Sequence, residues 1–442
     1  MKASGRLVAV AALAVLAVAA PFATAGFSSS AAGARPSGKQ LVGYFIEWGI
    51  YGRNYKVKDV KTSGSADKLT VINYAFGNVA PDSSGDVVCK LGDEWADYQK
   101  PWTADESVTG EEVTWPRPIL GNFQQLQALK QQYPQLKVLI SLGGWTWSKY
   151  FSDAALTKQS RQRFVSSCID LFIKGNIPPP GWGGMGGPGA AAGVFDGIDI
   201  DWEWPGSEGN PGNTIRPEDK QNYTRLLAEF RKQLHAYGKN SGERYLLTAF
   251  LPASAAKIDA GFAVSDIFGP LSFATVQGYD FHGTWESSTN HQSNLYTSPD
   301  DPSSPRYSDD AVVREYLSRG APPKELVVGV PFYSRGWAGV APANHGLYQP
   351  AAGAAPGMWE AGVDDYEVVK ERLGSGFTRY EDARAGAAWL FDGTTFWTFD
   401  DPPIMRAKAD YVSRNRLGGI MFWELSGDTP EGELIAAIAD GF

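Results

Sequence analysis

Eight short apolar runs, at residues 41–48, 69–76, 137–143, 195–203, 245–251, 273–279, 326–332 and 419–424, alternate along this chain with stretches of helical periodicity. Most of them are continuous rather than alternating, which suits strands covered on both faces. Strands joined through helices pair in parallel. Eight such units predict an α/β fold, a (β/α)8 TIM barrel. The intervening stretches carry their own start and stop signals. Pro217-Glu218-Asp219 opens one that puts Tyr223, Leu226, Leu227, Phe230 and Leu234 on one face and is expected to end before Gly238. Ser308-Asp309-Asp310 and Asp401-Pro402-Pro403 read as the starts of two more, stopped by Gly320 and Gly418.

The spacing breaks once, between the seventh and eighth runs, where far more chain intervenes than one helix needs. That segment holds a helix-like stretch at 366–373, and Asp392-Gly393 sits between Trp389-Leu390-Phe391 and Thr395-Phe396-Trp397, a strong hairpin signal. A small α+β subdomain at 336–399 is therefore expected on the rim of a barrel spanning 41–442. At the other end, Lys2 and Arg6 precede an uncharged run at 7–20 and then Ala23-Thr24-Ala25. This reads as a secretory signal peptide at 1–25, followed by a disordered Ser-, Ala- and Gly-rich lead-in at 26–40. The run is shorter than the roughly 20 residues a membrane span needs, so a secreted, extracellular chain without a membrane partner is expected.

Composition narrows the chemistry. Lys+Arg 40 against Asp+Glu 49 gives a formal charge of −9, which argues against nucleic acid or an anionic membrane as partner. Two cysteines and four histidines, with no HExxH or CxxC pairing, leave metal-free chemistry without a cofactor as the expectation. His235 and His345 lack partners at metal spacing, and His282 reads as a polar rim residue. Fifteen tryptophans and 13% aromatic residues suit a protein that meets flat, hydroxylated ligands. Gly181-x-Gly183-x-x-Gly186 matches a dinucleotide fingerprint in letters only, because it follows three prolines rather than a strand and therefore reads as a loop. Export leaves two states open for Cys89 and Cys168, a bond or a buried free thiol. Asn222-Tyr223-Thr224 is a glycosylation triplet.

The fourth run carries the chemistry: Phe195-Asp196-Gly197-Ile198-Asp199-Ile200-Asp201-Trp202-Glu203. Residues two apart on a strand share a face, so Asp199, Asp201 and Glu203 point inward together while Ile198, Ile200 and Trp202 meet the helical layer. Neighbouring acids then lie roughly 6 to 7 Å apart, too close in a poorly solvated interior for all three to ionise. Asp196 has the opposite parity and reads as structural. Glu203 comes last, at the carboxyl end of the strand, where barrel active sites are built.

The run resembles the DxxDxDxE signature of glycoside hydrolase family 18, and Ser141-Leu142-Gly143-Gly144 resembles that family's SxGG motif. The resemblance spans about 41–442 and implies a secreted bacterial-type chitinase with its insertion domain. It implies Glu203 as general acid, Asp201 as the group that orients the substrate's acetamido nitrogen, Asp199 as its proton-sharing neighbour, and Tyr279 as donor to the acetamido oxygen. Asp280 is expected to contact the same sugar. Trp423, closing the eighth run, is expected as the apolar floor. Gln277 stands where the family usually has methionine, which leaves the local shape of that subsite open. Arg335, Tyr333 and Tyr44 sit at strand ends and resemble sugar contacts, with simple packing as the alternative. Trp145, Trp147, Trp285 and Trp337 follow strands and could form stacking platforms. The expected reaction is retaining, substrate-assisted hydrolysis of β-1,4-linked N-acetylglucosamine polymers. Chitin and chito-oligosaccharides are the expected partners, and a monomer is the expected state. The rival readings are an endo-β-N-acetylglucosaminidase acting on glycoprotein glycans and a catalytically silent chitin-binding lectin.

Overall fold

The computed structural model describes residues 38–442; the expected signal peptide and all but the last residues of the lead-in lie outside them. In chain order the strands are β1 Gln40–Ile46, β2 Val71–Pro81, β3 Val87–Lys90, β4 Lys137–Gly143, β5 Gly197–Asp201, β6 Leu246–Leu251, β7 Phe273–Val276, β8 Leu326–Pro331, β9 Tyr333–Ala338, β10 Gly353–Ala354, β11 Val363–Asp365, β12 Thr378–Asp382, β13 Ala387–Phe391, β14 Thr395–Phe399 and β15 Gly419–Trp423. Strands β1, β15, β8, β7, β6, β5, β4 and β2 pair in parallel in that order, and β2 returns to β1. The sheet closes on itself, which removes its edges. Each of the eight apolar runs supplies one of these strands, buried almost throughout because side chains fill the barrel on one face and helices cover the other.

The helices obey their local signals at the start more closely than at the end. Ser308 accepts from the amide of Ala311 to cap Asp309–Ser318, and Asp401 accepts from that of Ile404 to cap Pro402–Arg414. The helix opened at Asp219 runs to Ser241, past its expected stop at Gly238, and ends on the left-handed Gly242. Gly238 is needed within the helix because a Cβ there would lie 2.4 Å from the carbonyl oxygen of Glu243 as the chain folds back. Asn222 is buried on the inner side of this helix, so the glycosylation triplet offers no accessible acceptor.

Cys89 on β3 is bonded to Cys168 at the end of the helix Lys158–Cys168, which settles the open choice in favour of the disulfide. The β2–β3 hairpin is thereby stapled to the helical layer.

Between β8 and β15 the chain builds a second, antiparallel sheet in the order β10-β9-β14-β13-β12, with β11 on the free part of β9. The hairpin at Asp392-Gly393 joins β13 to β14 as its sequence indicates. This sheet begins at Tyr333, directly after β8, and has its own core of Trp337, Val340, Leu347, Trp389, Phe391 and Phe396. Trp337 is therefore a core residue and not a stacking platform: β9 carries it into the sheet, where it packs on Phe396 and donates its indole N–H to the carbonyl of Glu286. A buried ionic cluster ties the insertion's return to the barrel. Lys408 on the helix Pro402–Arg414 meets Asp400 at 2.6 Å, Asp309 at 3.1 Å and the carbonyl of Ser293. Removing one partner of such a cluster leaves an uncompensated buried charge, at a cost of about 3–5 kcal/mol.

Candidate active site

The acids sit at the carboxyl end of β5. Asp199 is fully buried and accepts three hydroxyl hydrogen bonds, from Thr248 at 2.6 Å, Ser141 at 2.8 Å and Tyr44 at 3.0 Å, each from a different barrel strand. Asp201 is buried with no hydrogen-bond partner for its Oδ1 among the described residues. Glu203 lies just beyond the strand, held through its backbone: its amide donates to Ser148 Oγ at 2.8 Å and its carbonyl accepts from Asn213 at 2.9 Å. The side chain is left free to reach the cleft.

Burial and mutual repulsion distribute the protons. Burial raises Asp199, opposed by its three hydroxyl donors. Asp201 goes well above the carboxylate range, first through burial and then through the charges of Glu203 and Asp199. Burial pushes Glu203 up to about 8, with Lys257 pulling it down and Asp280 pushing it further up. Of the three, Asp199 is the one whose charged form is supported by hydrogen-bond donors, and burial favours the protonated form of Glu203.

Two glycines open the floor beside these acids. Gly143 adopts φ +102, and a Cβ there would lie 2.6 Å from the carbonyl of Asp201; Gly144 adopts φ +66, and a Cβ there would lie 2.6 Å from the ring of Phe76. Only glycine meets both demands. Trp423, at the end of β15, stacks on Phe76 with ring centroids 5.7 Å apart, and Phe76 in turn stacks on Trp48 at 6.2 Å. On the opposite wall Tyr279 follows β7, stacked on Phe250 at 6.1 Å. Asp280 Oδ1 accepts from Tyr333 at 2.6 Å and from Arg335 at 2.8 and 2.9 Å. Asp201, Glu203, Gly143 and these aromatic and charged side chains border one cleft of about 1370 Å³, with Gly144 and Asp199 just behind it.

Residues 40–428 match the sequence profile of the glycosyl hydrolases family 18. The chain belongs to that family. It is 38% identical over 420 residues to chitinase 63 of Streptomyces plicatus, covering 92% of this chain and 61% of that protein. It is 39% identical to chitinase C of Streptomyces lividans, covering 89% and 58%. The chain thus spans about six tenths of the length of these curated relatives. The catalytic domain of a psychrophilic chitinase B from Arthrobacter TAD20 superposes with a TM-score of 0.86 at 46% identity, covering 91% of this chain and 95% of that one.

In this member of family 18, barrel and insertion together bring the expected sugar-contact residues to the cleft, except Trp337. Trp145, Trp147 and Trp285 line the cleft, with Trp145 and Trp285 half or more exposed. Tyr44 is buried beneath it as a donor to Asp199, and Tyr333 and Arg335 are engaged by Asp280. Gln277 lines the cleft as well; its Oε1 accepts from the amide of Ala253 at 3.2 Å, and this fixes its NH2 on the other side. Asp196 is structural: it takes the amide of Val138 at 2.9 Å and pairs with Lys130 and Lys137. His282 is not on the rim. It is buried because the chain at 281–294 folds back under the insertion, where its Nδ1 meets Glu286 at 2.8 Å. His345 stacks on Tyr380 at 4.2 Å.

Among the cleft residues that sequence reasoning missed, four stand out. Trp48 closes the first apolar run and could have been found by the strand-end rule that found Trp423. Glu47 beside it is buried near Asp97, and burial and the charge of this neighbour push it up to about 12. Trp359 reaches the cleft from the insertion, where its indole donates to Asp365 at 2.7 Å beneath the guanidinium of Arg53. Lys257 follows β6. Neither of the last two carries a local signal.

Proposed function

We propose that this chain is an exported chitinase that hydrolyses chitin and chito-oligosaccharides with retention, using the substrate's own acetamido oxygen as nucleophile. The observation that carries this reading is the state of the acids. Asp201 at the end of β5 and Glu203 just beyond it border the cleft on one side, with Asp199 buried beneath them. The carboxylate on the facing wall, Asp280, is held on Oδ1 by Tyr333 and by the Nε/Nη2 edge of the Arg335 guanidinium, whose charge lowers its nucleophilicity. The names of the relatives, chitinases in each case above, support the same substrate.

In this mechanism the sugar lies on Trp423, and Glu203, protonated at neutral pH, gives its proton to the leaving oxygen. Asp201 accepts from the acetamido N–H while Tyr279 donates to the acetamido oxygen, aligning that oxygen on the anomeric carbon. Asp201 can do so as a carboxylate because Asp199 takes up the proton, one of its hydroxyl neighbours turning from donor to acceptor. Negative charge on Asp201 then faces the positive cyclic intermediate. Glu203, now ionised, activates the water that opens it.

The test combines a variant with a substrate. Glu203→Gln should bind chito-oligosaccharides and lose about 10²- to 10⁴-fold in turnover, and wild-type kcat/KM should fall above a limb near pH 8. Fully deacetylated chitosan should bind and remain uncut, while acetylated oligomers release the β-anomer first. Cleavage of the deacetylated chain at a comparable rate would overturn the acetamido mechanism, and uncut acetylated oligomers would overturn the substrate.

A further inference from the structure

Lys257 is a cation in the catalytic cleft with no acid within ion-pairing distance and no hydrogen bond among the described residues. It sits on the short helix Ala255–Gly261, and its Nζ lies 5.3 Å from the ring centroid of Trp204, the residue that follows Glu203. Trp204 packs on Phe250 at 5.6 Å, which itself stacks on Tyr279. An aromatic wall thus runs from the substrate-facing tyrosine to this ammonium and keeps water from one side of both.

The position of Lys257 relative to Glu203 is fixed by backbone packing. A Cβ on Gly261 would lie 2.2 Å from the carbonyl oxygen of Pro205, and one on Gly206 would lie 2.7 Å from that of Ala260. The helix bearing Lys257 therefore rests directly on the segment leaving Glu203, and neither can shift without the other.

From this geometry, and resting on the hydrolytic role of Glu203 proposed above, we propose that Lys257 is a positioning residue of the acid step: its ammonium stabilises the carboxylate that Glu203 becomes once its proton has left for the leaving oxygen. The charged and titratable groups facing Glu203 are Asp201 on β5, Tyr279 and Asp280 after β7, and Lys257 after β6; those facing Lys257 are Glu203 and Glu208. Lys257 is the only cation in this set, and its charge opposes the effect of burial and of Asp280 on Glu203. Glu203 must be acid first and base second, so a fixed cation beside it lowers the barrier to becoming ionised while leaving it protonated at neutral pH.

The sign of the effect distinguishes this role from a structural one. Lys257→Met, which keeps the length and removes the charge, should move the alkaline limb up by about one unit and lower kcat/KM on a chromogenic chito-oligosaccharide at neutral pH by up to about tenfold, the full factor applying where proton transfer is complete in the transition state. Lys257→Arg should restore both. A titration of the Glu203 carboxyl by 13C NMR in the substrate-free protein, with the signal assigned by its loss in Glu203→Gln, should show the same upward shift in Lys257→Met, whatever the substrate proves to be. An unmoved or lowered Glu203 titration in a folded Lys257→Met protein overturns the proposal. So does a rate loss with the limb in place, which would mark Lys257 as a sugar contact. If the shift appears in the NMR titration but no chito-oligosaccharide is cut by wild type, the electrostatic role stands and the substrate reading falls.

Discussion

Thr248→Val tests the architecture beneath the reacting acids. The substitution keeps the shape of a fully buried side chain and removes the 2.6 Å hydrogen bond to Asp199 Oδ1. Burial raises Asp199 and its hydroxyl donors hold it back, so losing one donor raises it further. A hydrogen bond to a charged group contributes about 1.5–3 kcal/mol, which corresponds to about one to two units. Asp199 will then bind a proton at higher pH than in wild type. Because Asp201 is held protonated more strongly, the second proton of the pair is the one that inactivates on acidification. The acid limb of kcat/KM should therefore move up by about one to two units while the alkaline limb, set by Glu203, stays near 8, so the profile narrows from one side only. One to two units below the wild-type optimum, activity should fall about 10- to 100-fold by the same conversion. The measurement is kcat/KM across pH on a short chromogenic chito-oligosaccharide, with Thr248→Ser as the control that restores the hydroxyl. An acid limb that stays in place, or two limbs that move together, would refute the assignment of Asp199 as the member that holds the charge.

Two further outcomes follow from the periphery. Trp359→Ala should raise KM for long chitin chains several-fold and leave short substrates unaffected, because the ring reaches the cleft from the insertion, away from the acids; equal losses on both lengths, measured by chain-length series, would make it structural. Replacing Cys89 and Cys168 together by serine should destabilise the fold by about 4.5 kcal/mol at most, the loop-closure entropy for a separation of 79 residues, with turnover unchanged; the check is a denaturant midpoint with and without the bond.

The barrel was legible because its strands are buried on both faces, and burial on both faces writes a continuous apolar run that a helix of similar length would interrupt. The three acids were legible for the complementary reason: charges at every second position of such a run have no place to go but the interior. Trp48 closes the first apolar run but lies two residues past the end of β1, in the turn Glu47–Ile50, whereas Trp423 is the last residue of β15. What sequence could not show depends on contacts made across the chain. Trp359 enters the cleft only because β11 pairs with β9, and Trp337 leaves it because β9 continues straight from the barrel rim into the insertion sheet. Trp337 follows a strand run in sequence and Trp359 carries no such signal, yet pairing partners far along the chain bury the first and expose the second.

The same distinction explains how the site divides its labour. Groups that must be fixed are anchored by barrel strands in register: Ser141 on β4, Asp199 on β5 and Thr248 on β6 lie side by side in the ladder, since Ser141 pairs with Asp199 and Asp199 with Thr248. Three inward side chains at one level of a closed sheet have no rotamer that avoids one another, so a carboxylate between two hydroxyls is held without any loop to support it. Groups that must change charge or meet the substrate, Glu203, Tyr279, Asp280 and Trp423, sit at or just beyond strand ends, where the ladder releases them into the cleft. A ladder position confers rigidity at the cost of desolvation, and Asp199 can occupy one because its charge is hydrogen-bonded on both oxygens. Glu203 could not: placed one ladder level down it would lose its access to the leaving oxygen and gain the donors that would keep it ionised. In the proposed mechanism, the two-residue step from Asp201 to Glu203 therefore separates the end of β5, which stores charge, from the segment beyond it, which transfers a proton.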